Sequence, residues 1–308
     1  MTDIAIRPFR ESDYESLQRV LNLAFSNYRD ATRYHESMLQ FYREWMWSDG
    51  TSLALASDEA LYGVLMAGYR EATFEEKRLR IVHIGPAGIV PRPRRKGLGT
   101  DMMRQAIQHA REAGADLLTL TTEAAYGAHR MYRRAGFDVL EAYRPLVAGL
   151  APNAPTQPLH EAVRLSDTWT SSPHTQPPEK CIQEIGPLSP PPPTKLRPRQ
   201  YEHQGGLAKT LQWPVLSRRG SKEELSYATQ LVHWEPGENP QKLLDTVLAI
   251  AQNERSICVY ALRSTADTLP GFSTRGAPLV YRMVRALTDQ GHDAVRNATR
   301  YYEICPAP

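Results

Sequence analysis

A proline-rich stretch between residues 150 and 200 limits the ways in which this chain of 308 residues can fold. Prolines recur from residue 152 onward and include the run 190–193. Proline donates no backbone hydrogen bond and has a fixed φ, so we expect an extended or polyproline II linker here. We therefore predict a domain at residues 1–148, a proline-rich linker at 149–204 and a second α/β domain at 205–308. Each half is long enough to bury a core.

The charge balance and the cysteines argue against several classes of protein. The chain has 37 basic and 34 acidic residues and a formal charge of +3, which gives no reason to expect nucleic acid as a partner. Its cysteines, Cys181, Cys258 and Cys305, form no Cys-x-x-Cys motif, so we expect neither a metal site nor disulfides. The charged N-terminus and the lack of a long apolar run predict a cytoplasmic protein without a membrane partner.

The apolar periodicity of the first half predicts a mixed α/β fold. The predicted order is strand, helix, helix, three strands, helix, strand, helix, strand. A strand over residues 80–90, interrupted by Gly85-Pro86, leads into a basic glycine loop and a helix over 98–113. Gly114 and Gly136 follow predicted helices, at a position where glycine commonly ends a helix.

The loop Arg94-x-x-Gly97-x-Gly99 has the properties of a pyrophosphate site. Its glycines let the backbone approach an anion closely, and the helix that begins near Leu98 adds the positive end of its dipole. The loop lacks the Gly-Lys-Ser/Thr of a nucleotide P-loop and the spacing of a Rossmann turn. The pattern therefore favours a phosphate-bearing cofactor of another kind.

Two motifs in the right order resemble the GCN5-related N-acetyltransferase (GNAT) family. The first is the run Ile89-Val90-Pro91 followed by Arg94-x-x-Gly97-x-Gly99-Thr100, and the second is Ala128-x-x-Met131-Tyr132-x-x-x-Gly136-Phe137. The resemblance covers roughly residues 3 to 146. It implies a GNAT-like mixed central sheet flanked by helices. Ala125 departs from the asparagine that the family often has at this position.

The resemblance also implies a cofactor, acetyl-CoA, and a set of residues that hold it. The thioester would lie beside the backbone of Gly88, Ile89 and Val90, and Tyr132 matches the family's usual proton donor. His83 and Glu123 are candidate bases, because each lies on or at the end of a strand that flanks the predicted cleft. The residues expected to hold the pyrophosphate are Arg94, Arg95, Lys96, Gly97, Leu98, Gly99 and Thr100.

The second half repeats part of this order. Residues 227–287 are predicted as strand, loop, helix, strand, Gly271-Phe272 and strand, with the loop 236–240 in the place of the pyrophosphate loop. That loop is acidic and bounded by prolines, so it is not expected to bind phosphate. Two interpretations remain open: a degenerate GNAT-like repeat, or an unrelated α/β module.

The sequence thus predicts an enzyme that transfers an acetyl group from acetyl-CoA to a primary amine of a small molecule or peptide, by direct attack in a ternary complex. The alternative is a non-catalytic acyl-CoA-binding regulatory protein. The acceptor, the acyl chain length and the oligomeric state stay open, with a homo-oligomer among the alternatives.

Overall fold

A computed structural model describes residues 4–26, 34, 36, 39, 43, 51–74, 77–91, 97–144, 146–150, 163–166, 182–183, 199–219, 222–261, 269, 271–273 and 279–298. These residues form two units. The first contains the described residues up to Ala142 and again from Tyr281, and the second contains those from Tyr143 to Val280.

The first unit is built on a seven-stranded sheet with the order β1-β2-β3-β4-β5-β14-β6. Its strands are β1 (Ala5–Pro8), β2 (Leu53–Ala56), β3 (Leu61–Phe74), β4 (Lys77–Ile89), β5 (Leu117–Glu123), β6 (Asp138–Tyr143) and β14 (Val280–Ala286). The helices whose bounds the structure describes in this unit are α1 (Tyr14–Ala24), α2 (Leu98–Glu112), α3 (Ala128–Arg134) and α5 (Asp289–Ala298). Strands β1 to β4 pair antiparallel and β4 pairs parallel with β5, so the predicted mixed sheet flanked by helices is confirmed.

Helices α1 and α2 cover opposite faces of this sheet. Leu17, Val20 and Leu21 of α1 are fully buried in one cluster with Val64 and Met66. Because side chains alternate along a strand, Leu65 points to the other face. Helix α2 contacts the same strands without sharing that cluster, and its own apolar stripe is buried.

The last strand and the last helix among the described residues belong to the first unit. Val284 of β14 and Ala294 of α5 share a buried cluster with Leu117 and Leu140. The N–H of Leu287 donates to the carbonyl oxygen of Asp116 at 2.8 Å. The strand predicted at 278–287 exists, but the domain boundaries at 1–148 and 205–308 differ from this division. Local patterns reveal an apolar strand and do not specify the sheet that it joins.

The second unit contains a sheet with the order β7-β13-β12-β11-β10-β8, and β9 pairs with β12. Its strands are β7 (Leu146–Gly149), β8 (Arg164–Ser166), β9 (Ile182–Gln183), β10 (Arg199–His203), β11 (Gly206–Arg219), β12 (Lys222–Glu235) and β13 (Ser256–Ala261). The helix α4 (Pro240–Asn253) buries Leu243, Leu244 and Val247 against Trp234 of this sheet. Strands β8, β9 and β10 lie inside the predicted linker at 149–204, so that segment is not a linker throughout.

The two sheets share one topology. In the second unit β8, β10, β11 and β12 pair antiparallel, and β12 pairs parallel with β13 across helix α4. The first unit has the same arrangement in β1 to β5, with α2 as the crossover. The strand beside the parallel pair is β7 in one sheet and β14 in the other. The second sheet therefore has the fold expected of a second GNAT-like domain.

Candidate active site

Strands β4 and β5 separate at their carboxyl ends. Their parallel ladder runs from Ile81 and Leu117 to Ile84 and Leu120, and it extends no further among the described residues. A cavity of about 300 Å³ lies at the end of β4. It is lined by Ala24, Phe25, Val64, Leu65, Ala87, Gly88, Ile89, Gly99, Met102, Met103, Ala128, Met131 and Tyr132. This lining is mostly apolar and carries no charged side chain.

A bulge in β4 determines where its last amides point. Ala67 pairs with Ile84, whereas Leu65 pairs with Ala87, so β4 has one extra residue at Gly85-Pro86. The N–H of Val90 donates to the carbonyl oxygen of Tyr62 at 2.8 Å. Because N–H groups alternate along a strand, the N–H of Ile89 is directed to the opposite edge, toward the separation from β5.

The helix α2 begins with a backbone that favours an anion. Gly97 is its N-cap residue and has a φ of +114°, a conformation that few L-residues adopt. A glycine offers no side chain to cap the first amides of the helix, and backbone amides at a helix start can bind an anion. Leu98, Gly99 and Thr100 form the first turn. The basic residues of the predicted cradle, Arg94, Arg95 and Lys96, lie outside the described residues.

The corresponding helix of the second unit begins differently. The side chain of Asn239 accepts a hydrogen bond from the N–H of Lys242 at 3.3 Å, and Pro240 has no N–H. A Cβ on Gly237 would lie 2.3 Å from the backbone nitrogen of Gly206, so the loop packs against the start of β11. The start of α4 is therefore occupied by its own chain.

Two glycines let helices approach the cavity closely. A Cβ on Gly99 would lie 3.2 Å from Sδ of Met131, which brings α2 and α3 together. A Cβ on Gly88 would lie 2.8 Å from Cβ of Ala24 and 3.3 Å from Cε2 of Phe25. The end of α1 thus rests directly on the end of β4.

Tyr132 is the candidate catalytic residue that the structure brings into the cavity. It lies on α3, its side chain is 8% exposed, and its ring centroid is 6.0 Å from that of Phe137. The preceding residue, Met131, lines the same cavity. A phenol at this place has one hydroxyl that can donate a proton to a group bound in the cavity.

The two candidate bases lie apart from the cavity lining. His83 is on β4 directly beside Thr119 of β5, and its Nδ1 is 3.0 Å from the Thr119 hydroxyl oxygen. Glu123 is the last residue of β5. Neither side chain belongs to the residues that line the cavity, and neither do Val90, Gly97, Leu98 and Thr100. Gly88, Ile89, Gly99 and Tyr132 do line it.

Sequence reasoning missed the helix residues that form the cavity walls. Ala24 and Phe25 end α1, and Met102 and Met103 lie on the buried face of α2. The periodicity of both helices indicated only that these residues pack inward. Their place around one cavity follows from the pairing of the strands between them.

His129 of α3 is a half-buried titratable group that follows Ala128 of the cavity lining in the sequence. Its ring centroid lies 5.3 Å from that of Tyr281 in an edge-to-face arrangement. Burial lowers the pKa of His129, and the positive charges of Arg130 and Arg133 lower it further. The ring is thus neutral over a wider pH range than an exposed histidine.

Neither a metal-ligand cluster nor a membrane-length helix is found in the described part of the chain. No group of three or more His, Cys, Asp or Glu side chains there is placed to hold a metal ion. No helix among the described residues has the length and apolar character needed to cross a membrane.

Several solved structures are similar to this chain over most of its length. A GCN5-related N-acetyltransferase from Anabaena variabilis ATCC 29413 matches 93% of this chain and 73% of its own, with 13% identity and a TM-score of 0.53. Eis1 from Mycobacterium abscessus matches 92% and 73%, with 16% identity and a TM-score of 0.50. A probable N-acyltransferase from Enterococcus faecalis V583 matches 94% and 74%, with 13% identity and a TM-score of 0.52. At these identities the likeness shows the fold alone.

One of two sequence comparisons agrees with this fold. A search of curated proteins gave no match. The family model described as the acetyltransferase (GNAT) family matches residues 15–137, which extend from the second residue of α1 to just beyond α3 and contain Gly88, Gly99 and Tyr132. Residues 15–137, in the first unit of this chain, are therefore similar to the acetyltransferase (GNAT) family.

Proposed function

We propose that this chain transfers an acetyl group from acetyl-CoA to a primary amine of a small molecule or peptide, by direct attack in a ternary complex. One observation carries the proposal. The end of β4, the first turn of α2 and the Tyr132 side chain border the same cavity. A cofactor anchor and a proton donor are therefore close to each other.

The residues around this cavity fit an acyl-CoA. The uncapped start of α2 suits a pyrophosphate, with Arg94, Arg95 and Lys96 as neutralising charges. The apolar lining suits the pantetheine chain, and the N–H of Ile89 is directed to the side where a thioester carbonyl would lie. Bound acetyl-CoA supplies the activated acyl group.

The reaction needs a defined path for two protons. The amine nitrogen bonds to the acyl carbon as the carbon–sulfur bond breaks. The leaving sulfur takes a proton from the Tyr132 hydroxyl, and the amine loses one proton to a base. His83 and Glu123 remain the proposed bases, and because neither lines the cavity, each would act through water.

Calorimetry with acetyl-CoA tests the proposal. We compare the wild-type protein with Gly97→Glu, which places a carboxylate where the pyrophosphate would bind, and with Gly97→Ala. The alanine variant is the matched control, because it brings the same left-handed backbone strain without the charge. Micromolar binding that the glutamate variant loses and the alanine variant largely keeps supports the proposal.

Turnover separates an enzyme from a binding protein. A panel of primary amines is screened for release of free CoA thiol by the wild-type protein. Absence of acyl-CoA binding to the wild-type protein would overturn the whole proposal. Binding without turnover on any amine would instead favour the non-catalytic regulatory protein.

A further inference from the structure

The ring of Phe25 forms a wall of the cavity at the end of α1. Its backbone N–H donates to the carbonyl oxygen of Leu21 at 3.0 Å, which fixes the residue to the end of the helix. Its ring centroid lies 6.0 Å from that of Tyr34, and Cε2 would be 3.3 Å from a Cβ on Gly88. The ring therefore rests on the backbone of β4 at the point where β4 and β5 have separated.

The cavity is lined on one side by residues from the face of the sheet that α1 covers and on the other side by residues from the face that α2 covers. Val64 packs in the cluster of α1, and its partner in register, Gly88, faces the same way. Leu65 and Ala87 pair with each other and face the side covered by α2. A cofactor anchored at the start of α2 and bonded at Ile89 therefore directs its acyl group toward the end of α1.

We propose that Phe25 determines the length of the acyl chain and restricts the cofactor to short acyl groups such as acetyl. This inference rests on the function proposed above. Acetyl ends near Ile89, whereas each further methylene extends along the face of Gly88, where the ring of Phe25 lies. Gly88 has no side chain, so the ring itself is the obstacle.

Replacement of the ring should change chain-length selectivity. We compare acetyl-CoA, butanoyl-CoA and hexanoyl-CoA, by calorimetry and by turnover with one accepted amine, for the wild-type protein and for Phe25→Ala and Phe25→Leu. A methylene in an apolar pocket changes specificity by about 10- to 200-fold. We therefore expect Phe25→Ala to lower the preference for acetyl over hexanoyl at least about tenfold, with a smaller change for Phe25→Leu.

Leu23→Ala is the matched control, because Leu23 is on the same helix, is 43% exposed and does not line the cavity. It should keep the wild-type chain-length profile. Phe25→Leu retains an apolar side chain, so it still tests the proposal if Phe25→Ala does not fold.

The outcomes separate the two proposals. If the wild-type protein binds acetyl-CoA and the Phe25 variants keep its chain-length profile, the role of Phe25 is overturned and the enzyme assignment stands. A change in the KM for the amine alone would also overturn it, since Phe25 would then border the acceptor. If no acyl-CoA binds to any protein tested, both proposals fail.

Discussion

Nε of Arg282 lies 3.6 Å from Oε2 of Glu141, and the two side chains are 8% and 3% exposed. Glu141 is on β6 and Arg282 is on β14, which is the strand that the end of the chain contributes to the first sheet. Because these two opposite charges are buried in adjacent strands, they favour β6 as a partner of β14. The pair therefore helps to specify which sheet the C-terminal strand joins.

Loss of one partner of this pair should be costly. We expect Arg282→Met to lower the free energy of unfolding by about 3–5 kcal/mol, because the buried charge of Glu141 would lose the neighbouring Arg282 guanidinium. Urea denaturation measures the change. The double variant Glu141→Leu with Arg282→Met removes both charges and should regain most of the loss. A single variant within about 1 kcal/mol of wild type would contradict this account.

Gly291 should be intolerant of even a methyl group. A Cβ there would lie 2.3 Å from the carbonyl oxygen of Asp116, so α5 would have to move away from β5. In an exposed helix Gly→Ala raises the free energy of unfolding by about 1 kcal/mol. For Gly291→Ala we instead expect the free energy of unfolding to fall by about 1–3 kcal/mol. Thermal and urea unfolding measure the difference.

Gly149→Ala provides the comparison for Gly291→Ala. No described atom lies within 4 Å of the Cβ position at Gly149, and its backbone conformation is open to other residues. We expect Gly149→Ala to change the free energy of unfolding by less than about 0.5 kcal/mol. Equal effects of the two substitutions would show that the contact with Asp116 is unimportant.

Tyr132→Phe tests the proton donor without disturbing packing. The ring stays against Phe137 and only the hydroxyl is lost. We expect kcat to fall by about 10²- to 10⁴-fold with little change in the Kd for acetyl-CoA. Tyr126→Phe, in the turn Ala124–Tyr126 before α3, is the control and should keep nearly full activity. Equal kcat values for wild type and Tyr132→Phe would rule out the role.

Asp13 makes the stability of the first unit pH-dependent. Burial alone would raise the pKa of this carboxyl, but hydrogen bonds from Arg7, at 2.8 Å, and from the N–H of Arg10, at 2.7 Å, outweigh it. The pKa in the folded protein is therefore below the ordinary value of 3.8. The stabilisation is complete above that value and is lost as the pH falls through the lower, folded pKa.

The isosteric variant Asp13→Asn isolates this contribution. At pH 7 we expect it to be less stable than wild type by about 1.5–3 kcal/mol, the range for a hydrogen bond to a charged group. Urea denaturation between pH 7 and pH 2 should show the two proteins converging at the acid end. A constant difference over that range would mean that the charge of Asp13 is not involved.

Much of the first unit could be predicted from local sequence. The ends of two helices were marked by Gly114 and Gly136, which adopt φ values of +70° and +82°. The start of α2 follows Gly97, and the interruption at Gly85-Pro86 is the bulge of β4. These features depend on backbone conformations and spacings of a few residues, which short stretches of sequence specify.

The sequence by itself determined the order of the described helices and strands in the first half, the glycines at the start of α2 and the position of Tyr132 on its helix. Only the tertiary structure decided that β14 joins the first sheet and that α5 belongs to the same unit. It also decided that Phe25 lines the cavity and that His83 and Glu123 do not. The physical reason is the separation in sequence between the residues that interact. A turn or a helix end is fixed by neighbours in the chain, whereas strand pairing and the burial of Arg282 beside Glu141 are settled by residues far apart in sequence.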